Sequence, residues 1–225
     1  MRLIGLDLDG TLEDSRDDMV AAARRVRARL GLPERQDAKL RPFVNAGMDQ
    51  LYRACFDDYL AAGAEAARYL EVQQAYDADY YEHVADRTRL YDGIEAALGE
   101  LAGLGTLACI TNKPERISRR LLEVLGVGGL FATVIGGDTC AESKPSPLML
   151  QTAARQVGFD SERGQAFMVG DTTADIKLGR AYGAATLWCA WGYVDAPGEE
   201  PDQRVRAPVE LAPAVRALAD RGRVR

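Results

Sequence analysis

Short apolar runs alternate along the chain with longer stretches in which apolar residues recur at helical spacing. Residues 1–8, 106–110, 132–135, 167–169 and 185–189 are the short runs, near-continuous as in strands buried on both faces of a parallel sheet. Residues 93–104, 114–125, 147–157 and 174–182 lie between or after them and carry the helical period. Strand and helix in alternation predict an α/β fold, a doubly wound parallel sheet. One region breaks the rhythm. Residues 15–87 are rich in Ala, Arg, Asp, Glu and Leu at helical spacing and contain no strand pattern, which predicts an inserted helical domain. Pro33 and Pro42 bracket a polar loop within it, and Gly47 and Gly63 mark breaks between its helices. The expected domains are therefore 1–14 with 88–225 as the sheet domain and 15–87 as the helical one. Residues 191–208, rich in Gly, Pro and acids, read as an irregular loop, followed by a last helix over 209–219.

Composition narrows the function. With 225 residues, 47% of them hydrophobic and 28% charged, the chain has an ordinary globular balance. A formal net charge of -6 leaves no basic excess to displace counterions, so a general nucleic-acid partner is not expected. No apolar run approaches bilayer length and no charged-then-apolar leader precedes the first strand; no membrane partner and a cytoplasmic location are the expectation. Cys55, Cys109, Cys140 and Cys189 are far apart and read as reduced thiols. His83 is the one histidine, so any metal must be held mainly by oxygen.

The chemistry gathers where the apolar runs stop. Asp7-Leu8-Asp9-Gly10-Thr11 ends the first, and strand alternation puts Asp7 and Asp9 on one side of the chain. Gly170-Asp171-Thr172-Thr173-Ala174-Asp175 ends another at the start of a helix. Taken singly, the first is explained by a turn with solvated acids and the second by helix capping. Together they bring Asp7, Asp9, Asp171 and Asp175 to one sheet edge, where they repel unless a cation neutralises them; an all-oxygen donor set suits Mg2+. Two further strand ends supply Thr111 with Asn112, and Lys144 in Ser143-Lys144-Pro145. A hydroxyl, backbone amides and an ammonium are what a phosphate needs from its site.

These residues, in this order, resemble the four motifs of the haloacid dehalogenase superfamily of phosphohydrolases: DLDGT, ITNK, the KP of ESKPSP, and GDTTAD. The resemblance implies that Asp7 is the nucleophile and Asp9 the general acid and base. It implies further that Thr111 and Lys144 bind phosphate, that Asp171 is a magnesium ligand and that Asp175 supports the metal. An acid at position 9 speaks against the dehalogenase branch, which has no phosphoester oxygen to protonate.

The inserted helices match the position of the superfamily's helical cap, which closes over the site. Within it, Asp14-Ser15, Leu30-Gly31-Leu32-Pro33 and Arg41-Pro42-Phe43-Val44-Asn45-Ala46-Gly47 look like the phosphoglycolate phosphatase group, whose glycine pair around the asparagine is kept here in part. Asn45, Gly47 and Met48 are the cap candidates for meeting substrate. Arg24, Arg25, Arg27 and Arg29 read as a solvated helix face, His83 as structural, and Tyr76, Tyr80 and Tyr81 as packing. The expected partner is a small phosphorylated metabolite, acted on by a monomer or homodimer. A pyrophosphatase, a nucleotidase, a sugar-phosphate phosphatase or a phosphosugar mutase would share the same core, as would a non-catalytic binding protein on the same fold.

Overall fold

The structure, a computed structural model, describes residues 1–44 and 47–222. The chain divides into two units: Met1–Asp14 with Leu90–Arg225, and Ser15–Arg89.

The first unit begins with β1 (Arg2–Leu6) and β2 (Glu13–Asp14). The second unit is helical, with α1 (Arg16–Arg29), α2 (Asp37–Leu40), α3 (Met48–Cys55), α4 (Asp57–Leu60) and α5 (Glu65–Glu82). After β3 (Arg89–Leu90) the first unit resumes with α6 (Ile94–Ala102), β4 (Thr106–Ile110), α7 (Glu115–Val124), β5 (Phe131–Ile135) and α8 (Leu148–Gln156). It closes with β6 (Gln165–Gly170), α9 (Thr173–Tyr182), β7 (Ala185–Cys189), β8 (Gln203–Val205) and α10 (Leu211–Gly222).

Six strands pair in the order β5-β4-β1-β6-β7-β8, and every pairing is parallel. From β1 the chain winds out through β4 and β5, then crosses to β6, β7 and β8 on the other side. The winding therefore reverses beside β1, and the carboxyl ends of β1, β4 and β6 flank the reversal, where open α/β sheets bind ligands. Leu3, Ala108, Ile110, Ile135 and Met168 form one core with Met149, Leu150 and Ala153 of α8 and Leu178 of α9. α6 and α10 pack against each other and against β4 and β6. Burying the leucine, isoleucine and methionine side chains of this core stabilises the fold by roughly 1.5–3 kcal/mol each, which holds the strand ends in fixed register.

β8 corrects the expectation of an irregular loop over 191–208. Val205 is buried, and Asp202 accepts hydrogen bonds from Thr186 N and Thr186 Oγ1, both 2.8 Å, which pins the segment beside β7. Three residues are too few for a periodic signal.

In the helical unit, Met19, Val20, Ala22, Ala23 and Val26 of α1 and Val72, Tyr76 and Tyr80 of α5 are buried, and the two helices pack together. The Tyr76 hydroxyl donates to Met19 O at 3.0 Å. Tyr76 and Tyr80 are thus packing residues, with ring centroids 5.8 Å apart. The arginine run is not a uniformly solvated face. Arg27 is 1% exposed and donates to Asp58 through both terminal nitrogens (2.9 and 2.6 Å) and to the carbonyls of Pro33 and Cys55. The unit ends two residues later than expected because the buried Asp18 carboxylate accepts from Arg87 N (2.9 Å), Thr88 N (2.8 Å) and Thr88 Oγ1 (2.7 Å). Among the described residues no helix is long and apolar enough to cross a membrane.

Candidate active site

Registry brings the acids together. Leu6 of β1 pairs with Cys109 of β4 on one side and Val169 of β6 on the other, so Asp7, Thr111 and Asp171 all emerge at one sheet edge. Asp7 is buried; one of its carboxylate oxygens accepts from Leu8 N at 2.7 Å and from Lys144 Nζ at 2.6 Å. The same ammonium donates to Asp175 at 2.8 Å.

Asp175 also stands at the third position of α9. Its other oxygen accepts from Thr172 N (3.0 Å) and Thr172 Oγ1 (2.6 Å), and Thr172 Oγ1 accepts from Asp175 N, a capping box that fixes this carboxylate. The capping reading and the chemical reading of Gly170-Asp171-Thr172-Thr173-Ala174-Asp175 therefore hold together in one side chain.

Asp171 is held from three directions. Thr11 Oγ1 donates to one oxygen at 3.0 Å, Tyr193 N to the other at 2.7 Å, and Trp188 Nε1 to its carbonyl at 2.9 Å. Gly10 (φ 78°) and Gly192 both lie where a Cβ would strike the Asp171 side chain, so the turn after β1 and the loop after β7 can close on it only as glycine. Thr11 and Tyr193 stand in stretches the sequence singles out, but their role depends on contacts across 160 and 22 residues that no local pattern shows.

Oxygens of Asp7, Asp171 and Asp175 lie within 4.8 Å of one another. Burial first, and the Asp175 charge next, push the Asp7 carboxyl well above the ordinary range. The same two causes move Asp171 to about 6. Burial opposes the Lys144 charge, but Asp175 and Asp7 outweigh it and drive that ammonium's pKa up. Three buried carboxylates share one lysine, an imbalance that a hard divalent cation would relieve, and the all-oxygen donor set fits Mg2+.

The Asp9 carboxylate lies outside that side-chain group and is bound to Lys113 Nζ at 2.5 Å. Thr111 is buried, and its hydroxyl accepts from Lys113 N at 3.2 Å. The Asn112 side-chain oxygen accepts from Lys144 N at 3.0 Å, which ties the Lys144 loop to the end of β4. Lys113 itself was quoted within a motif and given no role. Of the helical-unit candidates, Gly47 (φ 92°) caps the start of α3 and Met48 is its half-buried first residue. Asn45 lies outside the described residues. His83 is exposed beside Asp86.

Residues 4–189 match the family model described as haloacid dehalogenase-like hydrolase. The chain belongs to that family. Its curated relatives include a phosphoglycolate phosphatase of Chromobacterium violaceum, 35% identical over 94% of this chain and 95% of that one. Another from Aquifex aeolicus is 34% identical over 94% and 95%. The chain is thus a phosphoric monoester hydrolase of the phosphoglycolate phosphatase-like group. The fold is shared with a crystal structure described as a predicted phosphoglycolate phosphatase from Haemophilus somnus, with TM-score 0.81 and 24% identity over 95% of this chain and 97% of that one. It is shared also with CbbY from Rhodobacter sphaeroides, solved with xylulose-(1,5)-bisphosphate, at TM-score 0.71 and 20% identity over 93% and 95%.

Proposed function

We propose that the chain is a magnesium-dependent cytoplasmic phosphatase for a small phosphomonoester of the phosphoglycolate type, working through an aspartyl-phosphate at Asp7. The observation that carries this reading is the convergence of Asp7, Asp171, Asp175 and the Lys144 ammonium at one sheet edge. In this reading Asp7, Asp171 and Asp175 hold Mg2+. Bound there, the cation offsets the repulsion between an anionic nucleophile and an anionic phosphoryl group.

Lys144, already on Asp7, carries positive charge to where the phosphoryl group arrives. The Thr111 hydroxyl and the amides at the end of β4 take phosphate oxygens, while Asn112 keeps Lys144 in place. Asp9 gives its proton to the ester oxygen as the P–O bond breaks and the bond to Asp7 forms. It then takes a proton from the water that attacks phosphorus and frees Asp7, one carboxyl acting as acid and then as base. The substrate class rests on the near-full-length likeness to proteins named phosphoglycolate phosphatase and on the motifs shared with that group in the helical segment.

Phosphate release from a panel of small phosphomonoesters and pyrophosphate, with and without Mg2+ and with Asp7→Asn as the blank, tests it. Magnesium-dependent release led by phosphoglycolate is the expected result. Another leading substrate would discard the substrate class alone; turnover surviving in Asp7→Asn would discard the nucleophile.

A further inference from the structure

The two aspartates of Asp7-Leu8-Asp9 each contact a different lysine, and only Lys144 has a role in the reaction described above. Lys144 sits on Asp7 and Asp175. Lys113, at the end of β4, sits on Asp9 at 2.5 Å and lies 3.7 Å from Glu13. The Lys113 side chain is 1% exposed and that of Asp9 22%, so the contact is formed from the protein side of a carboxylate that still reaches solvent.

The turn after β1 builds this arrangement. Leu12 N donates to Leu8 O at 2.8 Å and Gly10 N to Glu13 O at 2.9 Å, so the chain folds back and sets Glu13 beside Asp9. Lys113 is as firmly placed. Its N donates to Thr111 Oγ1, its carbonyl accepts from Gly137 N at 3.0 Å, and its ammonium is enclosed by the two carboxylates of that turn. A buried lysine costs a great deal unless paired. Here two of its partners come from the five residues that contain Asp9, so the pairing acts directly on the general acid and base.

We infer that Lys113 is a positioning residue for proton transfer by Asp9, holding one carboxylate oxygen so that the group presents a single orientation to the ester oxygen and then to water. This inference rests on the reading of Asp9 as acid and base. In the first step Asp9 transfers its proton to the departing ester oxygen while the Asp7–phosphorus bond forms. In the second it removes a proton from water while the oxygen–phosphorus bond to water forms and the Asp7–phosphorus bond breaks. Both steps need the same carboxylate in the same place, and a misplaced catalytic group loses rate rather than ground-state affinity.

The test compares Lys113→Met and Lys113→Arg with the wild-type enzyme in rapid-mixing kinetics, on phosphoglycolate and on para-nitrophenyl phosphate, whose phenolate departs without a proton. Lys113→Met is expected to lower kcat for phosphoglycolate by about 100-fold with KM within about threefold, the range of one general acid-base catalyst. With para-nitrophenyl phosphate the first release should fall far less than phosphoenzyme breakdown, giving a burst and a trapped phosphoenzyme. Lys113→Arg, which keeps the charge, should recover most of kcat. A rise in KM at unchanged kcat would overturn the inference in favour of direct substrate contact, and so would equal losses for both leaving groups in the first step. If Lys113→Met does not fold, Lys113→Met combined with Glu13→Gln removes one of the two carboxylates left without their ammonium, and the same readouts apply. A wild-type enzyme that forms no phosphoenzyme from either substrate would refute the underlying reaction and with it the inference; a phosphoenzyme that forms normally in Lys113→Met, with unchanged breakdown, would refute the inference alone.

Discussion

Charge is arranged in opposite ways in the two units. In the helical unit buried and half-buried arginines are in contact with acids: Asp58 has Arg27 at 2.6 Å and Arg35 at 3.1 Å, Asp79 has Arg25 at 2.7 Å, and Asp57 has Arg35. Hydrogen bonds from Arg27 hold Asp58 down at about 2. At the sheet edge three carboxylates share Lys144, and Asp7 and Asp171 move up instead. One residue type thus shifts in two directions according to whether its countercharge is supplied by the protein or left to a ligand. Matched charge is architecture; unmatched buried charge marks where something must bind.

Neutralising one member of each set separates the two kinds. Asp7→Asn should lower turnover by roughly four orders of magnitude or more, the scale of losing a nucleophile. Because it also removes one of three crowded carboxylates, thermal unfolding of the metal-free protein should show no loss of stability, and a lowered Tm would count against the account of crowding. Arg27→Met should do the reverse, costing about 3 kcal/mol in denaturant unfolding as Pro33 O and Cys55 O lose the Arg27 donor and Asp58 loses its shorter ion pair, keeping only Arg35. Its effect is on folding, so the portion still folded should keep wild-type kcat.

The same contrast explains what was legible in the sequence. Near-continuous apolar runs that stop at Asp, Thr or Gly disclosed β1, β4, β5 and β6 and the polar residues beyond them, because strand burial and strand-end chemistry are both local in sequence. Asp7, Asp171, Asp175 and Lys144 could be read because each stands one to six residues past such a run or in a short motif. Thr11, Tyr193 and the Lys113–Asp9 contact could not, since their geometry is made by the turn after β1 and by loops from distant strands. Arg27 misled for a related reason: helical spacing shows which residues share a face, and a run of arginines looks solvated until the packing against Asp58 is known. β8 was too short to carry a period.

Acid sharpens the comparison within the helical unit. Asp58 has a folded pKa of about 2, below the roughly 3.9 of an unfolded aspartate. The unfolded chain therefore binds the proton first as pH falls, so the contribution of Asp58 is complete above about pH 4 and is lost as pH drops towards 2. Asp58→Asn should flatten the fall in urea midpoint across that window; an unchanged slope would mean that the Arg27 pair contributes no pH-dependent stability. With the Asp58 side chain 34% exposed, solvent screening keeps the change modest.

The smallest effect is expected where pairing is present but water is too. Arg53 reaches both Asp49 (3.1 Å) and Glu65 (2.9 Å), yet its side chain is 52% exposed and those of its partners are 62% and 66% exposed. In water such pairs gain little Coulomb energy and must order long side chains, so Arg53→Ala should shift the urea midpoint only slightly, and less again at high salt. The arginine also stacks on the Tyr69 ring at 4.9 Å, a contact that added salt screens less than it screens the ion pairs. Comparing Arg53→Ala with Asp49→Asn across a salt series separates the two: a cost that persists in salt for Arg53→Ala alone belongs to the ring, and a cost that vanishes for both belongs to the ion pairs. A cost as large as that of Arg27→Met would show that burial is the wrong basis for ranking the charges of the helical unit.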